Sequence, residues 1–157
     1  MAAAPYDPRS VIESCPDLVL VFDEVAGLMG GGLHARRGAV GVIVVDPQLG
    51  EADRRAVLTH ELIHHERGEP VAGPEAPAGL ELLRDREERA VDDEVARRLV
   101  PVDLLRVLVG RADDEGPDAT GAGIGPSEVA EHFEVPPAVA RRALERLARD
   151  YLPPPTG

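Results

Sequence analysis

The distribution of apolar and polar residues predicts two clear strands near the start of the chain. Residues 17–22 form a continuous apolar run with β-branched residues, which indicates a buried strand. Residues 39–45 have the best strand pattern, and Arg37-Gly38 before them indicates a hairpin with an antiparallel strand near 32–36. Gly41 within the pattern indicates a bulge or a close approach, which an edge strand beside a peptide substrate would use.

Helical patterns alternate with these strands and continue after them. Asp7 and Pro8 are typical of a helix start, so a short helix is predicted to Ser14. Glycine-rich residues 27–32 predict a loop or sharp bend. Acidic residues in a first turn and Gly68 at the end indicate a helix over 51–67. A second long helix is predicted over 80–100, and a short apolar one over 102–110.

The C-terminal part is predicted to be a separate module. Residues 111–126 are rich in Asp, Gly and Pro and predict a flexible linker. A helix capped by Ser127, a turn at 134–137 and a second helix to Arg149 resemble a helix-turn-helix. We therefore expect an α+β chain with a main domain over 1–110, a linker over 111–126 and a helical module over 127–150. The main domain would hold a small antiparallel sheet of about three strands, packed on the helix over 51–67 and on the second long helix.

Charge and cysteine content restrict the possible partners and compartment. The net charge of −12 argues against a general electrostatic footprint for nucleic acid. Residues 127–149 carry four Arg and four Glu, so partner docking is favoured over DNA binding by this module. A single Cys15 forbids an internal disulfide, and no long apolar run or signal-peptide pattern is present. These features predict a cytoplasmic protein that does not enter a membrane.

The helix over 51–67 contains the motif His-Glu-x-x-His at residues 60–64. His60 and His64 are four residues apart, hence about 40° apart around a helix axis, and two imidazoles so placed can chelate one metal ion. Glu61 between them would act on a water molecule as a general base, as in zinc proteases. His65 lies about 140° from His60 and is a poor ligand by the same geometry. The alternative is a pair of ordinary helix histidines with a solvated glutamate.

Two acids on the second long helix are candidates to complete this site. Glu88 and Asp92 share a helix face with the apolar stripe of Val91, Val95 and Leu99. Buried carboxylates need a partner, and a dication with a ligand histidine would satisfy both. A salt bridge to arginine on a tilted helix is the alternative. Glu81 and Glu87 are the rival third ligands.

His-Glu-x-x-His followed by Glu-x-x-x-Asp on a second helix is similar to the gluzincin metallopeptidases. More narrowly, the chain resembles the ImmA/IrrE family over about residues 8–148. The second block of the family motif is matched in register by Glu88, Asp92, Ala96, Leu99 and Pro101, and it differs at Ala90, Val91 and Glu94.

The resemblance implies one catalytic Zn²⁺ held by His60, His64 and Glu88, with Asp92 hydrogen-bonded to a ligand histidine. It also implies a helix-turn-helix repressor as the protein substrate, in stress or mobile-element control. The expected function is therefore a zinc endopeptidase with Glu61 as general base, and strand 40–45 is the candidate to bind extended substrate.

Several alternatives are open at this level. The chain could instead be a regulator that binds a repressor or DNA through its C-terminal helices, with structural zinc. It could also be a latent enzyme that needs a partner for activity. The residue that stabilises the oxyanion beside the metal is not assigned, and the oligomeric state is open. The candidates for the oxyanion role are His34, His65, Tyr6 and His132.

Overall fold

The computed structural model describes residues 5–68, 81–114 and 123–151. Contacts within the chain separate it into two compact units, Met1–Val95 and Ala96–Gly157, which are described one after the other. None of the helices in the described ranges combines the length and the apolar character needed to cross a membrane.

The first unit begins with the predicted short helix, α1 (Pro8–Ser14). The Asp7 side chain caps it by accepting a hydrogen bond from the backbone N–H of Arg9, 3.1 Å away. Strand β1 (Leu18–Phe22) follows, and then a 3₁₀ helix (Glu24–Met29). Strands β2 (Gly32–Arg37) and β3 (Val40–Val45) complete the sheet.

The sheet is mixed, which corrects the prediction of an antiparallel one. The strand order is β1-β3-β2, with β3 antiparallel to β2 as predicted and parallel to β1. Successive strands reverse direction, so β1 and β3 run the same way. Because the hairpin places β3 next to β1 and leaves β2 outside, these two like-directed strands pair. Strand β3 is therefore central.

The glycine-rich segment is partly regular, contrary to the predicted loop. The 3₁₀ helix extends through residues 27–29, and Gly32 already belongs to β2. Only Gly30 and Gly31 form the bend, with φ of 89° and 101°, values that favour glycine. The hairpin turn falls at residues 38–39, one position later than predicted, with φ of 61° at Gly38.

Helix α2 (Glu51–Arg67) has the predicted bounds and packs on β2 and β3. The core between α1, the sheet and α2 is built from six buried apolar side chains: Ile12, Leu18, Ile43, Val45, Leu58 and Leu62. The prediction that β1 is a buried strand is wrong, because it lies at the sheet edge. Its residues Val19, Val21 and Phe22 are exposed.

Both ends of helix α3 (Glu81–Leu99) lie within one residue of the predicted limits, 80 and 100. Val91 and Val95 are buried, as the predicted apolar stripe requires. Residues up to Val95 belong to the first unit, and this part of α3 contains Glu88 and Asp92.

The second unit contains α4 (Val102–Asp114), α5 (Pro126–Phe133) and α6 (Pro137–Tyr151). Helix α4 continues four residues beyond the predicted end at Gly110, so the predicted linker is helical at 111–114; residues 115–122 of that linker lie outside the described ranges. The N-cap of α5 is Gly125, whereas Ser127 lies in the first turn.

Helices α5 and α6 meet through a small apolar core. Val129, Ala140, Ala143 and Leu147 are buried in it. Glu134 ends α5 with φ of 52°, in the left-handed region where glycine is usual. Two helices with a tight turn are thus present as predicted, while a helix-turn-helix function stays a prediction.

Candidate metal centre

Three side chains of the first unit bring ligand atoms together at one point. His60, His64 and Glu88 each offer one such atom, and these atoms all lie within 4.8 Å of one another. Helix α2 supplies the two histidines from successive turns of one face, and α3 supplies the carboxylate. The arrangement can hold a metal ion, as the motif and the second-helix acid predicted.

The pairwise distances between the ligand side chains are close to those of a tetrahedral metal site. The two imidazole Nε2 atoms are 3.1 Å apart. Nε2 of His60 lies 3.4 Å from Oε2 of Glu88, and Nε2 of His64 lies 3.4 Å from Oε1 of the same carboxylate. Ligand atoms about 2.0–2.1 Å from a tetrahedral zinc ion are about 3.3–3.4 Å from each other. The distances within each ligand pair are therefore close to those in such a tetrahedron, with the two histidines contacting different oxygens of Glu88. When each residue contributes one ligand atom, the three atoms lie within 4.8 Å of one another.

Asp92 determines which nitrogen of His60 is available to a metal. Its Oδ1 lies 3.4 Å from Nδ1 of His60, one helical turn beyond Glu88. A carboxylate only accepts hydrogen bonds, so Nδ1 carries the proton and Nε2 of a neutral His60 presents its lone pair. That lone pair lies 3.4 Å from Oε2 of Glu88, so a cation bound here would interact favourably with both groups.

Burial makes a proton a poor substitute for that cation. The pKa of His60 is lowered, first because burial penalises the imidazolium and second because His64 is close. The carboxylates of Glu88 and Asp92 oppose this effect without reversing it. A divalent ion would satisfy both imidazoles and Glu88 together.

Glu61 contacts strand β2 of the sheet and lies near Glu88. It is 9% exposed, and burial with the nearby charge of Glu88 raises the pKa of its carboxyl to about 7. The backbone N–H of His34 in β2 hydrogen-bonds this carboxyl. Gly32 leaves the necessary room, since a Cβ there would lie 3.1 Å from Oε1 of Glu61. A buried acid beside the metal ligands is suited to accept a proton.

His65 lies outside the triad, as the helical geometry predicted. Its Nδ1 is 3.3 Å from Nε2 of His34, and its Nε2 is 3.5 Å from Oδ2 of Asp17. The ring packs so closely on β3 that a Cβ on Gly41 would lie 2.5 Å from it. The predicted close approach at Gly41 is confirmed, and a histidine side chain makes it.

The proposal that strand 40–45 binds substrate is contradicted by the sheet order. Strand β3 pairs with β1 on one side and β2 on the other, so its backbone groups are engaged on both sides. Within the described part of the sheet, the free edges belong to β1 and β2. The β2 edge is the one beside Glu61, because the N–H of His34 contacts that carboxyl.

Other residues considered from the sequence lie apart from the triad. Glu81 is exposed, and neither it nor Glu87 belongs to a three-ligand group in the described ranges. The backbone carbonyl of Tyr6 accepts from Arg55. His132 stacks edge-on against the ring of Phe133, with centroids 4.9 Å apart.

Sequence reasoning missed Gly32 and Asp17 as parts of the site's surroundings. Gly32 was one of three consecutive glycines, and nothing local distinguished the one that faces Glu61. Asp17 precedes a strand and gave no sign that a histidine from α2 would reach it.

In comparisons with protein-family models, curated proteins and solved structures, the chain has no significant match.

Proposed function

We propose that the protein is a zinc-dependent endopeptidase that hydrolyses a peptide bond in a protein substrate. The observation that carries the proposal is a buried carboxyl, Glu61, next to a group of three metal-ligating side chains whose ligand atoms lie within 4.8 Å of one another. A purely structural metal site has no use for such a group, and zinc structural sites normally have four protein ligands. Two histidines, one glutamate and a free fourth position are typical of catalytic zinc.

Zinc bound by His60, His64 and Glu88 would supply Lewis-acid chemistry, since it lowers the pKa of a water molecule and polarises a carbonyl. Glu61 takes a proton from the attacking water as the new C–O bond forms. It then transfers this proton to the amide nitrogen as the C–N bond breaks, which releases the amine. A carboxyl pKa of about 7 suits both transfers at neutral pH. Asp92 holds the His60 ring in the required tautomer.

Extended substrate would bind along the free edge of β2. A peptide added there pairs with outward-facing backbone groups of the strand and is brought past Glu61. This replaces β3 as the substrate strand. No second function is favoured by a particular contact, so the regulator with structural zinc remains the alternative that the experiments below can distinguish.

The substrate class is proposed from the motif resemblance alone. An ImmA/IrrE-like enzyme would cleave a helix-turn-helix repressor, and it could stay latent until a partner activates it. The α5–α6 pair is a candidate docking element for such a protein. DNA binding by the same helices is the less favoured use, because their arginines and glutamates balance.

Metal analysis of the purified protein is the first test. We expect one zinc per chain, lost in Glu88→Ala and retained in the neighbouring control Glu87→Ala. Zinc that persists at full stoichiometry in Glu88→Ala would reject this ligand set. Zinc that is bound by four protein ligands, with no position left for water, would favour the structural role.

Cleavage is tested with purified helix-turn-helix repressors and with unfolded casein as a general substrate. Glu61→Gln should keep zinc and reduce the rate by about 10²–10⁴-fold, because an amide cannot accept the proton. Glu66→Gln, on the same helix, is the matched control. Cleavage by Glu61→Gln at the wild-type rate would exclude Glu61 as the base.

A further inference from the structure

A second group of polar side chains lies outside the set of metal ligands. It consists of Asp17 before β1, His65 on α2 and His34 on β2, and each contacts the next. The side chain of His65 is only 9% exposed, and its two nitrogens face the other two residues. Both nitrogens of this buried imidazole therefore have a polar partner, which matters because unpartnered buried polar groups are costly.

The chemistry of the three groups favours one arrangement of the imidazole protons. The carboxylate of Asp17 lies 3.5 Å from Nε2 of His65 and can only accept, so it favours the tautomer of His65 that carries its proton on Nε2. The other nitrogen of a neutral His65, Nδ1, is then an acceptor, and Nε2 of His34 donates to it. One pair of tautomers, with the proton on Nε2 in both His65 and His34, is therefore consistent with both contacts.

The series of contacts from Asp17 through His65 ends at His34, which also contacts the proposed general base. The backbone N–H of His34 hydrogen-bonds the Glu61 carboxyl, so the same residue is bound to His65 through its side chain and to Glu61 through its backbone. The side-chain contact ties β2, an edge strand of the described sheet, to the buried part of α2. Movement of β2 would otherwise carry the His34 N–H away from Glu61.

A second metal site is a poorer interpretation of this group. The two His65 nitrogens lie on opposite sides of one ring, so Asp17 and His34 cannot share an ion through it. Within the described ranges, only His60, His64 and Glu88 place three ligand atoms within 4.8 Å of each other.

We propose that Asp17 and His65 are positioning residues that hold His34, and through its backbone N–H the Glu61 carboxyl, in place beside the metal ligands. This rests on the proposed function for its catalytic meaning, although the hydrogen-bonded chain itself is testable without metal or substrate. Asp17 and His65 act through His34 and touch no reacting atom. Gly41 is a requirement of the same device, since any side chain there would collide with the His65 ring.

The test uses NMR of the full chain labelled with ¹⁵N at histidine, at pH 8, above the usual imidazole pKa. Long-range ¹H–¹⁵N spectra should give His65 and His34 each as the Nε2–H tautomer. Asp17→Ala should mix the His65 tautomers and speed amide hydrogen exchange of His34 by about tenfold or more, equivalent to about 1.4 kcal/mol of lost protection. Glu61→Ala should speed the same amide, because it removes the acceptor.

Matched variants separate this effect from a general loss of structure. Asp17→Asn retains an acceptor oxygen and should keep the His65 tautomer, which also serves if Asp17→Ala folds poorly. Glu13→Ala removes an exposed carboxylate that pairs with Arg9 at 2.8 Å, and it should change neither the spectrum nor the exchange rate.

Three outcomes would overturn the proposal: His65 in the Nδ1–H tautomer, unchanged His34 exchange in Asp17→Ala, or unchanged His34 exchange in Glu61→Ala. Zinc content is measured in the same samples. If the wild-type protein binds no zinc but shows the expected tautomers, the proposed peptidase function is rejected and the positioning role of Asp17 and His65 is retained.

Discussion

Helices α2 and α6 bury different kinds of residue, and the difference indicates where the chemistry lies. Helix α6 buries Ala140, Ala143 and Leu147, which are all apolar. Helix α2 buries Leu58 and Leu62 in its core, yet it also buries Thr59 and Glu61. Its three histidines are partly buried as well.

Thr59 needs no functional explanation, because its hydroxyl donates to the carbonyl of Arg55 at 2.8 Å. Glu61 differs, since its carboxyl is held by one backbone N–H while burial raises its pKa. Apolar burial in α6 favours folding directly, whereas burial of an acid in α2 opposes it. A helix that accepts such a cost is the better candidate for function.

The largest expected effect is on metal binding, and it should separate the histidines of the two units. His60→Ala or His64→Ala should weaken zinc affinity by more than about 100-fold, because removal of an outer partner alone costs about 10–100-fold. His132→Ala in α5 should leave affinity unchanged. Competition with a chromophoric chelator measures this, and equal losses in all three variants would remove the distinction between the regions.

Truncation in α6 should affect stability and spare the metal site. Leu147→Ala should lower the free energy of unfolding by about 2–5 kcal/mol, as expected for a buried leucine. Zinc affinity of the folded variant should equal that of the wild type. Urea denaturation gives the first quantity, with exposed Glu145→Ala as control; a loss below about 0.5 kcal/mol would mean that α6 is not packed as described.

Asp92→Ala should have an intermediate effect on metal binding. The variant loses the acceptor at Nδ1 of His60, so zinc affinity should fall by about 10–100-fold while the fold is kept. Asp93→Ala, one residue further along α3, is the comparison. If both variants bind zinc like the wild type, Asp92 does not orient the ligand.

The smallest expected effect is a gain in stability from Glu61→Gln in the metal-free protein. At pH 8 the carboxyl, with its pKa of about 7, is charged and buried, and replacement by an amide should stabilise by about 1–2 kcal/mol.

The sign follows from the raised pKa: the folded protein holds a proton that the unfolded chain releases, so stability falls as pH rises through this range. The gain should therefore vanish near pH 5. Thermal melts at both pH values measure the gain in stability. A loss of stability at pH 8 would contradict the statement that burial of the Glu61 carboxyl in α2 opposes folding.

The site was more predictable than its surroundings. Helical spacing put His60 and His64 on one face and His65 on another, and both followed from 3.6 residues per turn. Glu88 and Asp92 were predictable for the same reason, because they share a face with buried valines. Ranking Glu88 over Glu81 needed the structure, because residues seven apart share a helical direction and that direction does not determine which turn of α3 meets α2.

The local sequence determined the bounds of α2, the β2–β3 hairpin and the chelating pair, since each depends on neighbours a few residues apart. Tertiary structure alone decided that β3 is central, that β2 has the free edge beside Glu61, and that Asp17 meets His65. These contacts join residues far apart in the chain, and strand order is set by how the whole sheet packs on α2 and not by any local pattern.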